Sequence, residues 1–331
     1  VNIGVDSGFY ATKSITAGKK PFKFLSVMGK PSDSMVDMNG HVNLVVTSAF
    51  GTHQVGQAAV RFNPASDGRQ EFSDWVQTPE YMQILYTALG GLTEATQFNV
   101  NLGCGLPIAD FARYREILQT RLLGRHEFTI GGEDRRAQVA KIETVRVLPQ
   151  GWGAVLCLFL DDNGNIADPG LSRQRVAVLD IGGRTVGYLS VDGLADVPSE
   201  SRSTRRGAWN VVRGLHDFLS VNYPDLGELS DHKLMAAALA REILNHGEPV
   251  DLHPVIDPIV EDIGEEIVRT SRQYWGNTAA TFQKVLVIGG GAYVWGDTVK
   301  KVFPHAVVLP DPEFANARGY FRYVVAKAKR G

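Results

Sequence analysis

Hydrophobic positions in this chain fall into short runs that stop at glycine and longer stretches in which apolar residues return every three or four places. The first run, residues 1–5, ends in Asp6-Ser7-Gly8, and residues 11–15 resume with an alternating pattern; the pair predicts a β-hairpin turned at Gly8. Extended segments follow around 22–27 and 42–46. Residues 79–89 predict a helix with Pro79 in its first turn, where a missing backbone N–H is tolerated. Residues 98–104 predict a strand that stops at Gly105-Leu106-Pro107, 110–123 a helix, and 127–130 a segment leading into a Gly131-Gly132 turn. An alternating strand at 139–148 and a buried helix at 151–160, beyond Pro149, complete the first half.

The pattern then restarts. After a turn region at 161–170, residues 175–180 predict a strand, Gly182-Gly183 a turn, and 185–191 a second strand closed by Asp192-Gly193. A strand, an aspartate, a glycine turn and a returning strand thus occur near the start of each half. Helices are expected at 209–219, 232–244 and 255–274; the last carries Val255, Ile259, Ile263 and Ile267, spaced by four along one face. Residues 284–288 predict a buried strand running into Gly289-Gly290-Gly291, and 314–329 a final helix. Strands interleaved with helices define an α/β class.

Composition sharpens this in three ways. At 331 residues the chain is long for one typical domain and suits two, and its 44% hydrophobic residues are enough to fill two cores. A net charge of −2 argues against a whole surface that grips DNA by neutralising phosphates, although a local basic patch stays open. Two cysteines, Cys104 and Cys157, with no CxxC spacing, suit a reducing compartment rather than a disulfide scaffold or a thiolate metal site. The opening residues read as a strand rather than a signal peptide, and the longest apolar stretch, 154–160, is too short to span a bilayer; a cytoplasmic, membrane-free protein is expected.

Candidate chemistry sits at the glycine turns. Phosphates bind backbone N–H groups that glycine turns expose, and favour a nearby cation. The run from Gly4 to Lys13 offers a turn at Gly8, the Ser7 hydroxyl, and Lys13 on the returning strand as a point charge; Asp6 is placed to hold a water of hydrated Mg²⁺. An ordinary hairpin with a surface lysine has the same pattern. Leu179-Asp180-Ile181-Gly182-Gly183-Arg184-Thr185 repeats the logic, and Arg184 reads either as a phosphate contact or as a solvated turn residue. Gly289, Gly290, Gly291 and Ala292, after a buried strand, permit the close backbone approach that a flat ring or sugar-phosphate requires.

In this order the three elements resemble the first phosphate, second phosphate and adenosine motifs of the actin/Hsp70/sugar-kinase superfamily. Val147-Leu148-Pro149-Gln150-Gly151-Trp152-Gly153-Ala154 looks like that superfamily's first connecting segment, and Pro312-Glu313-Phe314-Ala315-Asn316-Ala317-Arg318-Gly319-Tyr320 like its second. The Ala-Asn-Ala-Arg-Gly form, with Gly105-Leu106-Pro107, is similar to the ParM/StbA plasmid-segregation actins. The resemblance covers essentially the whole chain. It implies an actin-like (ribonuclease H-like) fold with duplicated domains, each with a mixed five-stranded sheet, and an interdomain nucleotide cleft. Domain I would take residues 1–165 plus 314–331, and domain II residues 166–313.

The resemblance further implies ATP with Mg²⁺ as cofactors, GTP being left open. Asp6 and Asp180 would order Mg²⁺ through its waters. Ser7, Gly8 and Lys13, with Phe9 and Tyr10 in the same turn, would hold phosphates from one side, and Gly182, Gly183, Arg184 and Thr185 from the other. Gly289 to Ala292 would face the nucleoside, and the segment 199–206, with three arginines, is either an adjoining contact or a mobile loop. Gln150 would join Asp6 and Asp180 as the catalytic set; an amide is no base, but it can orient an attacking water. The implied activity is an ATPase that polymerises into filaments for plasmid or DNA segregation, with a ParR-type adaptor rather than the chain itself binding DNA. Two alternatives stay open: a small-molecule kinase of the same superfamily, with Asp110 as a candidate base, and a non-polymerising nucleotide-binding scaffold.

Overall fold

The computed structural model describes residues 1–31, 44–62, 74–132 and 134–329, so the segment expected at 42–46 is seen only from Leu44. Strands β1 (Asn2–Ser7), β2 (Ala11–Thr16) and β3 (Phe22–Leu25) form an antiparallel meander at one side of the first sheet. The chain continues through β4 (Met28–Gly29), β5 (Leu44–Ser48), β6 (Gly51–Val55), α1 (Gln57–Phe62), α2 (Pro79–Gly90), β7 (Gln97–Leu106), α3 (Ile108–Leu122), β8 (Gly124–Gly131) and β9 (Arg136–Pro149). Among the described residues nine strands join in the order β3-β2-β1-β7-β9-β8-β5-β6-β4, rather than the five expected. The five are the first five in this order. The others are added because β8 returns along β9 and the β5–β6 hairpin pairs with β8, covering what would otherwise be an open edge.

Helix α4 (Trp152–Phe159) leads to the second sheet, built from β10 (Arg175–Ile181), β11 (Val186–Asp192), β12 (Ala195–Asp196) and β13 (Arg202–Thr204). Then come α5 (Trp209–Asn222), α6 (Pro224–Gly227), α7 (Asp231–Ala240), β14 (Glu242–Asn245), β15 (Glu248–Asp251), α8 (His253–Trp275), β16 (Lys284–Ile288), α9 (Ala292–Val302), β17 (Ala306–Val308) and α10 (Ala315–Ala328). The sheet has six strands, β12-β11-β10-β16-β17 with β13 also on β11, so 199–206 holds a paired strand rather than a mobile loop. Its centre repeats the first sheet: β10 is antiparallel to β11 and parallel to β16, as β1 is to β2 and β7.

One predicted helix runs too far. The helix expected at 232–244 ends at Ala240, because Arg241 turns left-handed (φ 59°), and a β14–β15 hairpin follows. His246 and Gly247, both at positive φ, form its two-residue turn. In α8 the buried stripe runs through Ile256, Ile263 and Ile267, with Val255 only half-buried.

Two helices cross between the sheets. The apolar side of α4, with Ala154 and Val155, packs into a core with Val178, Leu189 and Ile288 of the second sheet, although α4 follows the first sheet in the chain. Helix α10 packs against β1, β2 and β7 of the first. They cross at Gly153 and Gly319: a Cβ on Gly319 would lie 2.0 Å from the Gly153 carbonyl oxygen, so only glycine allows this approach. Cys104 and Cys157 are both free thiols. Among the described residues no helix is long and apolar enough to cross a membrane.

Candidate functional site

Equivalent strands β1 and β10 each deliver an aspartate to the same cavity, of about 280 Å³, between the two sheets. The Asp6 Oδ1 accepts a hydrogen bond from Gln150 Nε2 at 3.2 Å. The Asp180 Oδ2 accepts one from Asn316 Nδ2 at 2.7 Å, and Asn316 Oδ1 in turn accepts from the Gly151 N–H at 3.0 Å. Both connecting segments therefore end on the carboxylates. Asn316, in the Ala-Asn-Ala-Arg-Gly run, has a site role that the sequence reading did not assign; its partner lies 136 positions away.

Burial raises both carboxyl groups. It pushes Asp180 up to about 6, with the neighbouring Asp6 charge adding to it and Asn316 and Lys13 opposing. For Asp6 burial again leads, opposed by Lys13 and then Gln150. Two facing buried carboxylates want more positive charge than they have. Among the described residues no group of three or more His, Cys, Asp or Glu side chains is arranged to hold a metal ion. The donor set therefore fits a Mg²⁺ that keeps its waters and takes its remaining ligands from a phosphate, and does not fit an all-protein metal cage.

The glycine turns form the cavity walls. Gly182 N–H donates to the Thr185 carbonyl at 2.9 Å, and the carbonyls of Gly182 and Gly183 accept from Ala208 (3.2 Å) and Trp209 (2.7 Å) at the start of α5. Gly289, at φ +83°, packs so closely that a Cβ would sit 2.4 Å from the Ile181 carbonyl oxygen and 2.9 Å from Asp180 Oδ1. The opposite turn reaches across. Tyr10 stacks on His232 with ring centroids 5.2 Å apart, Phe9 meets Trp209 edge-on at 5.2 Å, and the Arg184 guanidinium lies 5.1 Å over the Phe9 ring. Trp209 is held by a 3.1 Å bond from Nε1 to Asp231.

Every residue expected at the site lines this cavity except Ser7 and Ala292. Strand alternation puts the Ser7 side chain on the opposite face of β1 from Asp6, where it adjoins Tyr81 of α2, so its hydroxyl does not face the cavity. Ala292 is buried in the core beneath the second sheet. Asp110 does not line the cavity either; burial raises its carboxyl, with Arg205 and Arg113 opposing. From 199–206 only Ser203 reaches it. Met235 and Leu239 of α7 and Tyr293 and Val294 of α9 add apolar lining to the cavity, with Leu239 and Tyr293 61% and 64% exposed. The sequence shows the first two as helical positions, but no local signal says that they face a cleft.

Duplicated sheets, two aspartates on matching strand ends, two glycine turns and crossing connector helices define an actin-like fold. Residues 4–153 match the N-terminal domain of actin-like proteins, and residues 178–301 match the C-terminal domain of the MreB-like archaeal actin homologue; the chain belongs to the actin-like protein family. It is 25% identical to an archaeal actin homologue of Thermoplasma volcanium, over 97% of both chains. Among solved structures, a non-polymerisable quadruple mutant of a ParM matches with a TM-score of 0.82 and 21% identity, over 100% of this chain and 99% of the other. A 15-stranded ParM filament from Clostridium botulinum matches at 0.80 and 20%, over 98% of both. An archaeal actin homologue in complex with ADP matches at 0.77 and 21%, over the whole of both.

Proposed function

We propose that this chain is a filament-forming ATPase that binds ATP·Mg²⁺ between two domains, one of residues 1–165 with 314–331 and one of 166–313, and hydrolyses it. The observation that carries this reading is the convergence of Asp6 and Asp180, with Lys13 and Gln150, on one cavity flanked by both glycine turns. The homologue solved with ADP and the ParM filament, both of this fold, support it.

Asp6 and Asp180 would hold the hydrated Mg²⁺, whose charge offsets that of the phosphates. Lys13, with its Nζ beneath the Gly8 turn, supplies a cation to them. Gln150, fixed by Asp6, is placed to orient a water but not to deprotonate it. Catalysis of this kind rests on positioning and suits slow turnover. ATP shifts the open–closed balance only through a differential affinity, and a γ-phosphate held by both turns at once provides it. ATP is the reading for the nucleotide, with GTP open. The service proposed is plasmid or DNA segregation in the cytoplasm, with DNA bound by a separate ParR-type adaptor; a net charge of −2 accords with that division.

Sedimentation and negative-stain microscopy test this. Filaments are expected with ATP·Mg²⁺ or a non-hydrolysable analogue, fewer with ADP, and almost none for Lys13→Ala. Gln150→Ala should assemble normally while phosphate release slows. Monomeric particles with every nucleotide would end the filament reading.

A further inference from the structure

The cleft carries a second lysine. The β1–β2 register sets Asp6 opposite Lys13, and the β2–β3 register sets Lys13 opposite Lys23. Directly opposed residues share one face of a sheet, so Asp6, Lys13 and Lys23 form one rung, and all three line the cavity. Two like charges directly opposite destabilise a strand pair unless each finds an anion. Lys13 is buried between Asp6 and its neighbours, whereas Lys23 places its Nζ 2.6 Å from the Glu313 carboxylate. Glu313 belongs to the turn Pro312–Phe314 just ahead of α10 and also lines the cavity. That turn is tied to the nucleoside-side glycines, since Gly289 N–H donates to the Pro312 carbonyl at 2.9 Å.

The Lys23 side chain is 40% exposed and that of Glu313 17%, and an ion pair whose cation is this open to water is held weakly. A polyphosphate in this cavity carries more negative charge than one carboxylate and offers several oxygens to an ammonium group. We propose that Lys23 is a second phosphate-binding cation of the cleft, and that Glu313 competes with the nucleotide's phosphates for it. The proposal rests on the nucleotide reading above. Phosphate binding would then free Glu313, on the segment that enters α10, so that the anion's arrival is felt at the start of that helix.

Calorimetric titration of the full chain with ATP·Mg²⁺ and, separately, with adenosine tests this in wild type, Lys23→Gln, Lys23→Arg, Glu313→Gln and the double Lys23→Gln/Glu313→Gln. Loss of one charge-assisted contact should weaken ATP·Mg²⁺ binding about tenfold in Lys23→Gln. Lys23→Arg should stay near wild type. Glu313→Gln should bind ATP·Mg²⁺ more tightly, by about two- to fivefold on removal of a competitor from a pair whose cation is open to water. The double variant should match Lys23→Gln, and adenosine affinity should be the same throughout. Wild-type ATP affinity in Lys23→Gln would overturn the proposal alone. So would parallel losses for adenosine, or weaker binding in Glu313→Gln, either of which would make the pair a structural brace. Failure of wild type to bind ATP·Mg²⁺ at all would overturn the nucleotide reading and this proposal together.

Discussion

Asp180 ionises against its surroundings: burial and the Asp6 charge push it up to about 6, above the ordinary 3.8. A carboxyl group whose folded pKa exceeds its unfolded one contributes stability at low pH, and loses it as pH rises through the folded value. In chelator and without nucleotide, the melting temperature should therefore rise as pH falls from 7.5 to 5.5. Asp180→Asn should melt about 2–5 °C above wild type at pH 7.5 and flatten that dependence, while losing hydrolysis. A lower melting point for the variant at pH 7.5 would show the charge to be well compensated by the protein alone. Asp6 and Asp180 were legible in the sequence because each stands at the end of an apolar strand beside a glycine turn, and Lys13 because it stands on the strand returning from one. The side-chain direction of Ser7 follows only from the parity of β1 once Asp6 is known to face the cavity. Asn316 was quoted within its motif, yet its bond to Asp180 depends on tertiary placement.

At the level of elements, the crossing of α4 and α10 is the most constrained contact. A methyl group on Gly319 meets a backbone carbonyl oxygen at 2.0 Å, and backbone cannot step aside as a flexible side chain can. Gly319→Ala should cost on the order of 3 kcal/mol, the upper end of overpacking, measured by urea unfolding. A loss under about 0.5 kcal/mol, within the range of an ordinary surface change, would mean that the helices slide apart freely. Strands β1, β10 and β16 were legible because each is a short apolar run stopped by turn residues. The end of α7 was not, because Arg241 takes the left-handed position where glycine would have announced a stop. The nine-strand sheet was hidden as well, since the pairing of β5 with β8 joins residues more than eighty positions apart.

For the whole molecule, the contact of Phe9 and Tyr10 with Trp209 and His232 joins the Gly8 turn to the start of α5, which is bonded to the Gly182–Gly183 turn. Each aromatic pair contributes roughly 0.5–1.5 kcal/mol beyond burial. Tyr10→Ala should thus raise the protein concentration needed for ATP-driven assembly by about 2- to 10-fold, with far-UV circular dichroism unchanged. Unaltered assembly would assign the clasp to stability alone. Duplication was readable from two aspartate–glycine hairpins, but their docking through aromatic rings was not, because Trp209 and His232 read as ordinary helix residues.

The amide of Asn316 has a mechanical meaning. Asp6, Gln150, Gly151, Asn316 and Asp180 form one continuous series of covalent and hydrogen-bonded links, from one carboxylate to the other, that runs through the starts of both crossing helices. A twist of one half against the other therefore loads this series along its length. Torque applied to a subunit by its neighbours would be converted into a change of spacing between the two carboxylates. In the filament proposed above, turnover would then answer to tension, and the molecule would work as a strain gauge whose dial is the proposed hydrolysis.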